Sequence, residues 1–156
     1  MRILICSLVC SFVVWGMGCG KGQNELVSFA DQIVQLEGYN ETLARYLHLV
    51  EASPEDPGEA TQIGRVLEKY HAAVSKIPRP HDIVLKALHG QYIRAIEKAQ
   101  SKINPPGDPL FALEARRAIM GLQSSVERIY ETLEAKLQQQ NLGGQYTLKW
   151  PTPEKE

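Results

Sequence analysis

The 156-residue chain reads as an all-α protein: an up-down-up-down antiparallel four-helix bundle over residues 25–141, followed by a short extended tail at 142–156. Three observations predict this. Apolar residues return every three or four positions in four successive stretches, a spacing that lays them along one face of a helix. Each stretch is closed by a break rich in Pro or Gly and too short to hold another element. Before residue 145 the period-two alternation of a strand is scarce. Four helices joined by short turns pack most simply with neighbours antiparallel. Composition sets further bounds. With 17 basic and 18 acidic side chains, net charge -1, no single-sign field points to nucleic acid, and 44% hydrophobic with 22% charged residues fits neither a disordered chain nor a multi-span membrane protein.

The first element is an address. Arg2 supplies a positive charge, Ile3 to Trp15 form an apolar run broken only by Ser7 and Ser11, and the small-residue stretch Gly16-Met17-Gly18 follows. This is the pattern of a secretory signal. Even extended through Gly18 the apolar segment spans roughly 24 Å as a helix, short of the roughly 30 Å hydrocarbon core, so a cleaved signal is expected over 1–18 and not a permanent span. Next come Cys19 and Gly20-Lys21-Gly22, and residues 1–22 resemble bacterial lipoprotein precursors. The resemblance implies cleavage after Gly18, diacylglycerol on the Cys19 thiol and acylation of the new N-terminus. Where that family usually has Leu three places before the cysteine this chain has Gly16, which predicts less efficient processing. Gly20 is not the Asp that favours inner-membrane retention in enterobacterial relatives. The address implied is therefore the cell envelope, with the outer membrane facing the periplasm preferred over the cytoplasmic membrane.

Cysteine usage agrees with this address. Cys6 and Cys10 fall within the signal, so its removal leaves Cys19 alone and leaves no thiol for a disulfide, redox chemistry or nucleophilic attack. Two or three acyl chains exceed what stable anchoring needs. The tether at 19–24 is short, with Gly20 to Asn24 reaching at most roughly 17 Å, which keeps the folded part close to the lipid.

The four helical segments follow in order. In the first, Leu26, Phe29, Ile33, Leu36, Leu43, Leu47 and Val50 keep 3-4 spacing, with Asn40 in the one polar slot of the seam. Ser53-Pro54 ends it. Asp56-Pro57-Gly58-Glu59 opens the second: Asp56 is placed to cap, Pro57 suits a first turn, and Glu59 follows the cap by three. Its seam runs Ile63, Val66, Tyr70, Ala73, Ile77, and Pro78-Arg79-Pro80 cannot extend it. The third seam is Leu85, Leu88, Tyr92, Ala95, Ala99, flanked by Ile96 and Ile103 and stopped by Asn104-Pro105-Pro106-Gly107. Asp108-Pro109 starts the fourth, where Ile119, Leu122, Val126, Ile129 and Leu133 stay in register until Asn141-Leu142-Gly143-Gly144. Gly38, Gly64, Gly90 and Gly121, single within these segments, read as points of close helix approach. The Pro78-Arg79-Pro80 turn with Leu88, His89 and Tyr92 resembles small helical lipoproteins, a likeness that implies no activity.

Candidate chemistry is sparse. His48 with Glu51, and Glu68 with His71, have the three-residue spacing used by di-iron bundles. With the first turn centred near residue 54 or 55, though, the two pairs stand roughly 15 Å apart along the axis, too far to share a metal centre. Signatures for zinc hydrolysis, a serine nucleophile, phosphate cradling and covalent haem are all missing from the sequence. No catalytic residue, metal or cofactor is expected. The same height rule, carried through turns centred near 79 and 106, brings Asn40, Tyr70, His89 and Ser124 to one level. These read as a buried polar layer that fixes helix register, with a small-ligand pocket in the bundle core as the alternative. In the tail Tyr146, Leu148 and Trp150 alternate with polar residues, either folding back on the bundle or standing exposed as an aromatic anchor for a partner. The expected role is a non-catalytic adaptor or accessory subunit of the envelope, held to the membrane by its lipid and binding another envelope protein. A small-ligand or metal-binding bundle is the alternative.

Overall fold

The computed structural model describes residues 20–52, 57–103 and 110–152. The signal segment, Cys19, the expected cap at Asp56 and residues 153–156 lie outside them. Among the described residues the protein is all-helical, with no strand.

Helices α1 (Gly20–Val34) and α2 (Glu37–Ala52) together occupy the stretch whose apolar spacing predicts one continuous helix. Between them the ladder tightens: the Leu36 N–H donates to the Ile33 carbonyl and the Tyr39 N–H to the Leu36 carbonyl, each at 3.0 Å. Bonds of this three-residue reach overwind the backbone for one turn. The break leaves the 3-4 pattern untouched, because Ile33, Leu36, Asn40 and Leu43 are all buried on both sides of it.

Helix α3 (Pro57–Ser75) starts on the predicted proline and ends before Pro78. Helix α4 (Ile83–Gln100) is started by Asp82, whose carboxylate accepts the Val84 and Leu85 N–H groups at 2.9 and 3.0 Å. This cap ties three helices together. The other Asp82 oxygen takes Lys136 Nζ of α5 at 3.0 Å, and the Glu25 carboxylate of α1 accepts the N–H groups of His81 and Asp82. Partial burial pushes the Asp82 carboxyl up, but the Leu85 N–H, the Lys136 ammonium and the Val84 N–H outweigh it and hold the group below its ordinary value.

Helix α5 (Phe111–Gln139) ends at Asn141, whose φ of 58° is left-handed. The Asn141 N–H reaches the Gln138 carbonyl at 3.0 Å and the Leu142 N–H the Leu137 carbonyl at 2.8 Å, the paired bonds of a Schellman end. Asn141 therefore stops the helix where the following glycines were equally plausible from composition.

Helix α2 packs against α3 and α5, α3 against α4, and α4 against α5. One hydrophobic core results, running from Leu26 and Phe29 of α1 through the seams of α2 to α5 and including Leu148 and Trp150 beyond the last helix. No described helix is long and apolar enough to cross a membrane. The glycines do not mark close approaches. A Cβ at Gly38, Gly64 or Gly121 would meet nothing within 4 Å, and at Gly90 only the flexible end of Arg94.

Candidate functional site

The buried polar centre is built by one residue from each of α2, α3, α4 and α5. Asn40 is 0% exposed, with no route to water for its amide. Its Nδ2 donates to the Tyr130 hydroxyl at 2.7 Å, and its Oδ1 accepts from the Tyr70 hydroxyl at 2.6 Å. Tyr70 and Tyr92 hydroxyls lie 2.5 Å apart, and those of Tyr92 and Tyr130 lie 3.4 Å apart.

Counting donors fixes the proton order. Each phenol has one proton, and that of Tyr70 is committed to Asn40, so Tyr92 donates to Tyr70 and Tyr130 donates to Tyr92. The result is a closed ring running Asn40 Nδ2, Tyr130, Tyr92, Tyr70, Asn40 Oδ1. Every member gives one hydrogen bond and takes one, which offsets the cost of burying four polar groups. Burial, followed by the neighbouring phenols, pushes the Tyr70, Tyr92 and Tyr130 hydroxyls above their ordinary value of 10.0, against the opposing pull of Asn40. All three phenols are therefore protonated at neutral pH, and none serves as a base or nucleophile.

Two of the four residues expected at this level are present and two are not. Asn40 and Tyr70 meet as the spacing predicts. His89 sits apart, its Nε2 3.0 Å from the Val74 carbonyl and its ring edge-on to Phe29 at 6.4 Å. Ser124 is exposed and donates to the Met120 carbonyl of its own helix. The cause is the register of both later helices: Tyr92 stands opposite Tyr70 and His89 opposite Val74, which slides α4 about one turn along α3, and Tyr130 opposite Tyr92 slides α5 further along α4 than a turn centred near 106 gives. Tyr92 and Tyr130 take the two places. Tyr92 lies on its seam and was legible as a buried phenol in need of a hydrogen-bond partner. Tyr130 lies beside Ile129 and fits the same seam, four residues after Val126 and three before Leu133, so the spacing admits either residue and does not single out the phenol.

Of the two alternatives for the tail, folding back on the bundle describes Leu148 and Trp150. Leu148 and Trp150 are 5% and 7% exposed and belong to the core, so their side chains are spent on packing. Tyr146 is half-buried, and its hydroxyl donates to Asp31 of α1 at 2.9 Å. Of the histidines weighed for metal, His71 has Nε2 3.3 Å from the Glu97 carboxylate of α4, and His48 is exposed on α2. Among the described residues no three His, Cys, Asp or Glu side chains converge as a metal set would.

One concave surface adjoins the ring. Beside the α1–α2 break lies an open groove of about 510 Å³, walled by Gln32, Gln35, Leu36 and Tyr39 on one side and by Lys69 of α3 and Lys76 just past its end on the other. Tyr39 stacks on Tyr70 with centroids 5.0 Å apart and planes within 8°, so the groove wall rests on a ring member. Among the described residues Lys69 and Lys76 have no ion-pair partner. The groove thus offers two cations, amide groups and a half-buried aromatic ring, a combination suited to an acidic segment.

The chain matches no protein-family model, no curated protein and no solved structure.

Proposed function

We propose that this chain is an envelope lipoprotein, anchored through Cys19, whose helical domain works as a non-catalytic adaptor or accessory subunit. Its architecture on this reading is an up-down-up-down bundle in which α1 and α2 form the first leg, broken once, followed by an extended tail. Supporting the bundle are the cyclic neighbour order α2, α3, α4, α5 and the meeting of all four at the tyrosine–asparagine ring. Supporting the address are Arg2, the apolar run to Trp15 and Cys19 after Gly18.

The observation that carries the adaptor reading is the closed ring. The core's polar layer spends its three phenol protons and the Asn40 carbonyl on itself, leaving no activated group for chemistry there. Recognition then falls to the surface, and the groove between Tyr39 and Lys76 is the face best formed for a protein partner carrying acidic side chains. Native mass spectrometry of the protein gently extracted from its own membrane tests this. A stoichiometric protein partner, lost in a Lys69→Glu, Lys76→Glu variant that keeps its fold, is the expected result. A lone protein retaining a small-molecule mass of a few hundred daltons would replace the adaptor with the ligand-binding alternative.

A further inference from the structure

The corner where α3 turns into α4 presents its apolar side chains to solvent. Ile83 is 81% exposed and Val84 38%, the more conspicuous because Ile83 is the first residue of α4 and packing asks nothing of it there. Single exposed apolar residues are ordinary on protein surfaces. This one differs in where it stands. The Glu25 carboxylate of α1 holds the His81 and Asp82 N–H groups, and four residues on Phe29 meets His89, so α1 rises alongside α4 from the same end. Residues before Glu25 therefore project past the start of α4, and Gly20, next to Cys19, is about 7.5 Å of helix below it.

Charge at this corner is one-sided. Its two carboxylates are already engaged: Glu25 on backbone N–H groups, Asp82 on its cap and on Lys136. Arg79 and Lys86, exposed on either side of Ile83, have no ion-pair partner among the described residues. An apolar tip between free cations, at the end of the bundle from which α1 starts, is complementary to an anionic bilayer surface.

We infer that the α3–α4 corner is a membrane-docking edge, with Ile83 and Val84 entering the headgroup region and Arg79 and Lys86 meeting anionic lipid headgroups, so that the bundle stands upright on the membrane. This rests on the Cys19-anchored reading. It assigns an orientation that the lipid alone would not impose. The α4–α5 end then faces away from the membrane: Leu113, exposed on the first turn of α5, is about 35 Å of helix from Lys136, which pairs with Asp82 at the docking corner.

The test uses the full chain processed in its host, with Ile83→Cys or Leu113→Cys carrying a polarity-sensitive nitrobenzoxadiazole probe, acylated Cys19 being blocked to labelling. Both positions are exposed, so neither substitution threatens the fold. Each protein is placed in phosphatidylethanolamine–phosphatidylglycerol vesicles, and intact mass reports acylation of Cys19. The expected result is blue-shifted emission at position 83, quenched by spin-labelled lipid, with water-like emission at 113. Adding Arg79→Gln and Lys86→Gln should reverse most of the quenching at 83. Water-like emission at 83 in a protein that carries its acyl mass would overturn the docking edge while leaving the anchor standing. Shielding at 83 in native membranes but not in these vesicles would assign the corner to a protein and also overturn it. A mature chain without acyl mass would instead overturn the anchored reading itself.

Discussion

Opening the tyrosine ring at one member should cost the same as opening it at two adjacent members. Tyr70→Phe keeps the phenyl ring and its stack on Tyr39, so only the hydroxyl is lost. Asn40 Oδ1 is then left without a donor and the Tyr92 hydroxyl without an acceptor. Tyr92→Phe likewise strands one donor, on Tyr130, and one acceptor, on Tyr70. The double variant retains the Asn40 to Tyr130 bond at 2.7 Å and again strands one donor and one acceptor, the Tyr130 hydroxyl and Asn40 Oδ1. A buried unsatisfied group costs about 1–3 kcal/mol, whereas removing both partners of a bond is nearly neutral. With two groups stranded in each case, each single variant should therefore lose about 2–6 kcal/mol and the double variant about the same, giving a coupling energy as large as one substitution. Urea unfolding followed by far-ultraviolet circular dichroism measures all four corners of the cycle. Tyr46→Phe, which removes a hydrogen bond to Gln62 away from the ring, serves as the additive control with Tyr70→Phe. If the Tyr70, Tyr92 double variant loses the sum of its singles, the closed-ring account is wrong.

Five further outcomes are expected. The phenols of Tyr70, Tyr92 and Tyr130 are held above their unfolded value, so their contribution is whole below about pH 10 and is lost as pH rises beyond it; ultraviolet absorbance should show these tyrosinates appearing only together with loss of helix. Asp82→Ala removes the α4 cap and should cost about 0.5–2 kcal/mol by chemical denaturation. Because the Asp82 carboxyl is held below its ordinary value of 3.8, its stabilisation is present above that pH and lost as pH falls through the depressed value; Lys136→Met should flatten this acid limb. Gly121→Ala, on an exposed helix interior with open space at the Cβ, should raise stability by about 0.5–1 kcal/mol, and no change in melting temperature would contradict the open-space reading. Trp150→Ala should cost about 3–5 kcal/mol, and a loss below about 1 kcal/mol would mean that the tail is not part of the core.

Local rules made much of the helical layout legible. Pro57 begins a helix because its fixed φ suits a first turn, and Pro78-Arg79-Pro80 closes one because the ladder cannot pass through it. The seams named Leu43, Ile63, Leu85 and Ile119 as core because residues three and four apart share a helix face, and each is 0% exposed. The α1–α2 break was hidden for the same reason: one overwound turn at Leu36 leaves the apolar spacing as it was.

The level at which side chains meet across helices obeys different physics. Asn40 and Tyr70 were placed correctly because their connection is short and nearly symmetric about its centre. His89 and Ser124 were not, because α4 is slid along α3 so that Tyr92 stands opposite Tyr70, and α5 is slid along α4 so that Tyr130 stands opposite Tyr92. By itself the sequence determined which residues are helical and which faces are apolar, since both follow from interactions within a few residues of the chain. Only the tertiary structure decided that Asn40 closes a ring with three tyrosines and that Trp150 is buried, because hydrogen bonds and packing between distant segments depend on how far each helix slides along its neighbours.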